Sequence, residues 1–301
     1  MKLSGIDGSH LFGFLAAIGL HSLMDRYAQS RKQLPARMAF DEDYSAILDG
    51  VEEEAQLVDT LFDGLQRSRK YFDGDLSGID KPSDFTGESF GKLVRLADRE
   101  QACILSGFAC WTGAEIHEST LCAANGASHQ ELIRSIRDVL ALVERKHLSA
   151  ALFAPWRREY EVPQQDRKSL NLGTRKPTLR LDPADERLYA LRATNPTPSS
   201  TTYKTELGAQ ALATAAFSVL PVLPRRRPLT VGSVRNGNRV YFTWNLWSTP
   251  STLATIRSLL FSASIMQRDV KARGVFAAFR AARVSGAKGK LSFSPSEGLW
   301  S

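Results

Sequence analysis

The chain has 301 residues, 43% hydrophobic and 24% charged, enough to bury a sizeable core without disulfide or metal staples and too apolar for wholesale disorder. Its net charge of +7 conceals a divide: residues 1–150 carry 16 lysines and arginines against 23 acids, whereas residues 151–301 carry 23 against 9. A basic field of that size attracts a polyanion, so nucleic acid is the expected partner of the second half and protein contacts are expected of the first.

In chain order, Leu11, Phe12, Phe14, Leu15, Ile18, Leu23, Met24 and Tyr27 recur at helical spacing and predict a buried helix over 11–27. Its ten-residue apolar run, Leu11 to Leu20, is about half of what a bilayer-spanning helix needs. Asp7 before the run and Asp25 and Arg26 after it do not fit a signal peptide, so no membrane partner and a cytoplasmic location are expected. Gly8, Gly13 and Gly19 border or interrupt the helix and permit close approach of another backbone. Residues 46–66, with Ile47, Val51, Leu57, Val58, Leu61, Phe62 and Leu65 around a Glu52-Glu53-Glu54 face, predict an amphipathic helix. A Gly/Asp-rich loop at 73–84 leads to helical stretches at 88–110 and 129–147, the last with Ser128 and Glu131 at capping-box spacing.

Beyond Pro155 the pattern changes to short extended segments, 178–181 and 188–191, between prolines. A small-residue helix over 206–219 ends before Pro221 and Pro224. Strands at 229–235 and 239–247 flank Asn236-Gly237, which predicts a type I′ hairpin. A helix at 251–262 and strands at 274–284 and 290–294 close the chain. The expected fold is α+β, with a mainly helical, acidic region over 1–150 packed against a mixed α/β, hairpin-containing, basic region over 151–301, either as two regions or as one continuous domain.

Signatures of catalysis are missing: there is no phosphate loop, nucleophile elbow, His-Glu-x-x-His pair or dinucleotide-binding fingerprint. The histidines are scattered, and Cys103, Cys110 and Cys122 lack zinc-site spacing and read as reduced, mostly buried thiols. No cofactor, metal or catalytic residue is expected, and the protein is read as non-enzymatic. Asp41-Glu42-Asp43 is the one acidic triplet able to suggest a metal-dependent nuclease, the main alternative; a stand-alone DNA-binding regulator is the other, and it lacks a recognisable recognition-helix pair.

Basic and aromatic clusters offer more. Phe153, Trp156, Arg157, Arg158 and Tyr160 combine flat rings with guanidinium groups, a mixture suited to bases and phosphates, although a core tryptophan beside exposed arginines gives the same pattern. Arg167-Lys168, Arg175, Lys176 and Lys204 lie in connections, and Arg225, Arg226 and Arg227 lie in a proline-bounded loop. Arg235, Asn236 and Arg239 gather at the hairpin tip, with Arg273, Arg280, Arg283, Lys288 and Lys290 near the C-terminus. Together with Arg157, Arg158 and Lys168 these make up the expected nucleic-acid-binding set.

The opening Gly5-Ile6-Asp7-Gly8-Ser9 with Phe12-Gly13-Phe14-Leu15-Ala16-Ala17-Ile18-Gly19-Leu20 resembles the start of the large-subunit proteins of type I-G (formerly I-U) CRISPR effector complexes. Asp84-Phe85-Thr86-Gly87, Ala151 to Trp156, Leu181 to Leu191, Phe242 to Trp247, Arg273 to Arg280 and Leu291 to Pro295 continue the resemblance along the chain. It implies a non-catalytic subunit of Cascade that binds guide RNA and target double-stranded DNA and reads the protospacer-adjacent motif (PAM). The implied partners are repeated backbone and guide-RNA-processing subunits, a separate small subunit and a recruited helicase-nuclease.

Overall fold

A computed structural model describes residues 1–122, 131–158, 160–172, 178–182, 205–224, 228–261, 273–285 and 291–300. Strand β1 (Lys2–Asp7) turns through Gly8-Ser9 into helix α1 (Leu11–Arg31), which is buried at every position from Leu11 to Met24. A helix apolar on all sides belongs at the centre of a core, and α1 is that centre. It ends at Lys32, whose left-handed backbone (φ 56°) returns its N–H to the last turn.

Strands β2 (Arg37–Phe40) and β3 (Ser45–Asp49) follow, and helix α2 runs from Glu54 to Asp73. The helix expected over 46–66 therefore begins eight residues late. Ala46 and Leu48 are buried with period two and β3 pairs with both β1 and β2, so sheet pairing claims this segment, and Gly50 (φ 81°) separates it from α2. The stretch expected at 88–110 divides into α3 (Gly87–Leu96) and α4 (Arg99–Phe108), because Asp98 caps a new helix by accepting from the Gln101 N–H at 2.9 Å. Strands β4 (Ala109–Trp111) and β5 (Ile116–Glu118) form a small hairpin after it.

The stretch expected at 129–147 likewise becomes α5 (Leu132–Leu142) and α6 (Arg145–Phe153), with Val143 and Glu144 in extended conformation between them. Ser128 lies outside the described residues, and Glu131 precedes α5 without a side-chain cap. Lys168 falls in a short helix, α7 (Gln164–Ser169). Residues 178–181 form no strand: they are buried coil, with the Leu179 N–H donating to Gln210 Oε1 at 3.0 Å, so a side chain takes the place of a neighbouring strand. The extended segment expected at 188–191 lies outside the described residues.

Helix α8 (Leu207–Ala216) packs along α1. Gly19 makes this possible, since a Cβ there would lie 1.8 Å from the Leu212 carbonyl oxygen. The remaining elements are β6 (Val222–Leu223), β7 (Leu229–Thr230), β8 (Ser233–Asn236), β9 (Arg239–Trp247), β10 (Ser251–Thr252), α9 (Leu253–Phe261), β11 (Val275–Ser285), β12 (Leu291–Phe293) and β13 (Glu297–Trp300). One antiparallel sheet has the order β1-β3-β2-β10, and a second has the order β12-β11-β9-β8 with β13 also on β11. Trp244 and Trp247 fasten the second sheet to the first half, donating from Nε1 to the carbonyls of Gly8 (2.8 Å) and Met38 (2.6 Å). The fold is α+β, with helices concentrated in the N-terminal half and packed against a hairpin-containing C-terminal half. Among the described residues no helix is long and apolar enough to cross a membrane.

Candidate nucleic-acid interface

The hairpin of β8 and β9 pairs Asn236 with Arg239, so its two-residue loop is Gly237-Asn238 and not the expected Asn236-Gly237. Gly237 has φ 57° and Asn238 is not in the left-handed region, which fits a type II′ turn with glycine first in place of type I′. The one-residue difference decides which side chains share a face. Residues 235–239 are all exposed, but Arg235 lies opposite Val240, whereas Asn236 and Arg239 lie opposite each other on the other face.

Each face leads to an arginine of β11. On the Arg235 side, Val240 pairs in turn with Arg283, which is largely buried and donates from Nη2 to the Cys122 carbonyl at 2.9 Å. Burial pulls the Arg283 guanidinium below its ordinary value, Arg235 nearby pushes the same way, and Cys122 and Glu118 oppose them. On the Arg239 side, the Arg280 guanidinium lies 4.8 Å from the Tyr241 ring centre and pairs with Glu297. Tyr241 was missed by the sequence reading; only the register, which sets Thr243 against Arg280 and Ala282 against Tyr241, brings ring and guanidinium together diagonally.

A second group forms around the start of α1. Asp182, nearly fully buried, accepts from Arg158 Nε at 2.6 Å and lies 3.8 Å from His10 Nε2. Arg158 adopts a left-handed backbone (φ 53°), a conformation that its ion pair helps to hold. Burial lowers the His10 pKa, with Asp182 acting in the opposite sense. The Leu11 N–H donates to Ser296 Oγ at 3.1 Å, and Ser296 precedes Glu297, the partner of Arg280, so the two groups are joined through named contacts.

The aromatic cluster of residues 153–160 is built into the fold. Trp156 packs edge-on against Phe12 with ring centres 5.1 Å apart and donates from Nε1 to the Ala151 carbonyl, while Tyr160 packs against His147. Both rings are partly buried and packed against the core, and Arg157 beside them is exposed. Lys168 and Arg273 are exposed as well. Arg175, Lys176, Lys204, Arg225, Arg226, Arg227, Lys288 and Lys290 lie outside the described residues. The structure thus leaves Arg157, Lys168, Arg235, Asn236, Arg239 and Arg273 facing solvent, and gives Arg158, Arg280 and Arg283 intramolecular contacts.

The acidic triplet has a local role. Asp41 Oδ1 accepts from the N–H groups of Asp43 (3.1 Å) and Ser45 (2.8 Å), and its Oδ2 meets Lys2 Nζ at 2.6 Å. These contacts close the turn between β2 and β3, and Lys2 and the backbone donors hold the Asp41 carboxyl below its usual range despite partial desolvation. Among the described residues no three histidine, cysteine, aspartate or glutamate side chains are grouped to hold a metal ion. No protein-family model matches the chain, and no curated protein matches it.

Proposed function

We propose that the protein is a non-catalytic large subunit of an RNA-guided type I CRISPR surveillance complex, cytoplasmic, binding guide RNA and target double-stranded DNA and recognising the PAM. The observation that carries this reading is the exposed tip of the β8–β9 hairpin. A two-stranded ribbon fits the major groove, where arginine makes paired hydrogen bonds to guanine and asparagine to adenine. Arg239 and Asn236 share one face of the hairpin and Arg235 lies on the other; in this reading the paired residues meet base edges and Arg235 meets a phosphate. The wide second sheet and the tryptophan hydrogen bonds at its base give the ribbon a rigid mounting. The chain-long resemblance to type I-G large subunits supplies the partners: repeated backbone and guide-processing subunits, a small subunit and the helicase-nuclease.

The test is to replace Arg235, Asn236 and Arg239 singly by alanine in the assembled complex and to measure binding to targets with matched and altered PAMs. Arg239→Ala and Asn236→Ala are expected to change the preference, each contact being worth roughly 1–3 kcal/mol of discrimination. Arg235→Ala is expected to weaken binding uniformly across sequences. Unchanged affinity and preference in all three folded variants would remove the hairpin from the interface, and isolation of the protein without guide RNA or other subunits would overturn the assembly.

A further inference from the structure

Helices α1, α2, α4 and α9 border a half-open cavity of about 290 Å³ lined by four arginines, Arg26, Arg67, Arg99 and Arg257, one from each helix, with Arg67 and Arg99 exposed. Three of them come from the half of the chain in which acids outnumber bases 23 to 16, so the cluster is not a by-product of a generally basic surface. The two carboxylates in the lining already have partners. Glu100 takes Arg26 Nη1 and the Ser68 hydroxyl, and Asp25 Oδ2 takes Gln29 Nε2 at 2.6 Å.

Arg67, Arg99 and Arg257 have no carboxylate partner among the described residues, and Arg26, held by Glu100 and by the Ser22 carbonyl, keeps Nη2 without a hydrogen-bond partner. Burial draws the Arg26 guanidinium below its ordinary value, opposed by its partner Glu100, and the neighbouring Arg67 adds to the lowering. Leu23, Val219 and Leu253 supply an apolar part of the lining. Guanidinium forks match phosphate oxygens, and the volume is at the lower end for a ligand pocket, room for one phosphate and a compact body rather than for a length of polynucleotide.

We propose that this cavity binds a phosphate-bearing small molecule of about mononucleotide size, its phosphate held by Arg67, Arg99 and Arg257 and its apolar body set against Leu23, Val219 and Leu253. The site shares no residue with the hairpin, so it stands or falls apart from the reading proposed above. Its phosphate has two possible sources, a free mononucleotide and the 5′ end of a short strand.

Cys103 lines the same cavity and is partly exposed, whereas Cys110 and Cys122 are buried, so its alkylation reports occupancy directly. The experiment is to titrate the purified full-length protein with inorganic phosphate, adenosine, adenosine 5′-monophosphate and a 5′-phosphorylated trinucleotide, following heat of binding and the rate of Cys103 alkylation by iodoacetamide. Adenosine 5′-monophosphate is expected to bind and to slow alkylation at least tenfold at saturation, with adenosine and inorganic phosphate at least tenfold weaker in affinity. Tighter binding of the trinucleotide with the same protection supports the site and assigns the phosphate to a strand end. Arg67→Ala and Arg257→Ala, neither of which belongs to the Arg26–Glu100 ion pair, are expected to weaken binding at least tenfold, with Arg67→Lys retaining part of it. Absence of Cys103 protection by every phosphate-bearing probe up to millimolar concentration overturns the proposal, as does equal affinity for adenosine or unchanged affinity in both folded alanine variants.

Discussion

His21 has no exposed surface, and its Nε2 is 2.9 Å from the Ala36 carbonyl while Nδ1 has no partner. In the neutral ring the Nε2–H donates to that carbonyl; protonation would add a second N–H at Nδ1 with nothing to receive it. Burial accordingly lowers the His21 pKa, opposed by the Ala36 hydrogen bond and by Asp25, and burial also lowers those of His10 and His147. For a group whose folded pKa lies below its unfolded value, the unfolded chain binds more protons in between. Stability is therefore fully present above the ordinary histidine value of about 6.5 and declines as pH falls through the lowered folded values. The unfolding free energy measured in urea should fall between pH 7 and pH 5, by at most about 1.4 kcal/mol per pH unit for each proton taken up. His21→Gln, which can keep a donor toward Ala36, should flatten that dependence without abolishing it, because His10 and His147 remain. An unchanged slope in the variant would show that His21 is already protonated in the fold or that another group governs the acid transition.

The contact of α1 with α8 depends on a missing side chain. A Cβ on Gly19 would be driven 1.8 Å from a backbone oxygen, which no rotamer can relieve, so Gly19→Ala should cost about 2–3 kcal/mol as the helices part. Gly91 of α3 is the control: a Cβ there would meet only the Trp111 ring at 3.4 Å, and Gly91→Ala should be neutral or stabilise by up to about 1 kcal/mol. Denaturant midpoints of the two variants decide the matter, and equal effects would mean that helix propensity, not close approach, is what Gly19 supplies. Elements of this kind were legible in the sequence where burial is continuous or alternation is clean, as in α1, α8, β9 and β11. The strand at 45–49 was not, because its apolar residues also fit a helical period and only pairing with β1 and β2 settles its state. Nor were the interruptions at Asp98 and Glu144, where a local cap outweighs a continuing apolar pattern. The site divides in the same way. Exposure of the hairpin tip could be read from its turn residues, whereas the Tyr241–Arg280 and Arg158–Asp182 contacts join residues 39 and 24 positions apart and need the register and the buried coil at 178–182 to bring them together.

At the scale of the whole molecule, the charge divide sets how nucleic acid would approach. The second half carries 23 basic against 9 acidic residues and the first carries 16 against 23, so charge alone favours a polyanion at the second half of the chain over the first. Not all of that charge is equally available. Arg158 and Arg280 are neutralised locally by Asp182 and Glu297, and Arg283 is largely buried, whereas Arg235, Arg239 and Arg273 are exposed. A cation that already has a carboxylate displaces fewer counterions when a phosphate arrives, so the slope of log affinity against log salt should count the second group and largely omit the first. Each phosphate neutralised on duplex DNA contributes about 0.9 to that slope. Arg235→Ala with Arg273→Ala should therefore reduce its magnitude by about 1.8 at most, while Glu297→Gln, which frees Arg280, should raise it by up to about 0.9. Binding isotherms of the assembled complex between 50 and 200 mM salt, the range over which about six to ten phosphate contacts cost roughly 10³–10⁵ in affinity, would resolve both changes. If the double variant keeps the parent slope while Glu297→Gln increases it, phosphate contact runs through the β11 face and not through the hairpin's Arg235 side. If neither substitution alters the slope, Arg235, Arg273 and Arg280 do not meet the duplex backbone.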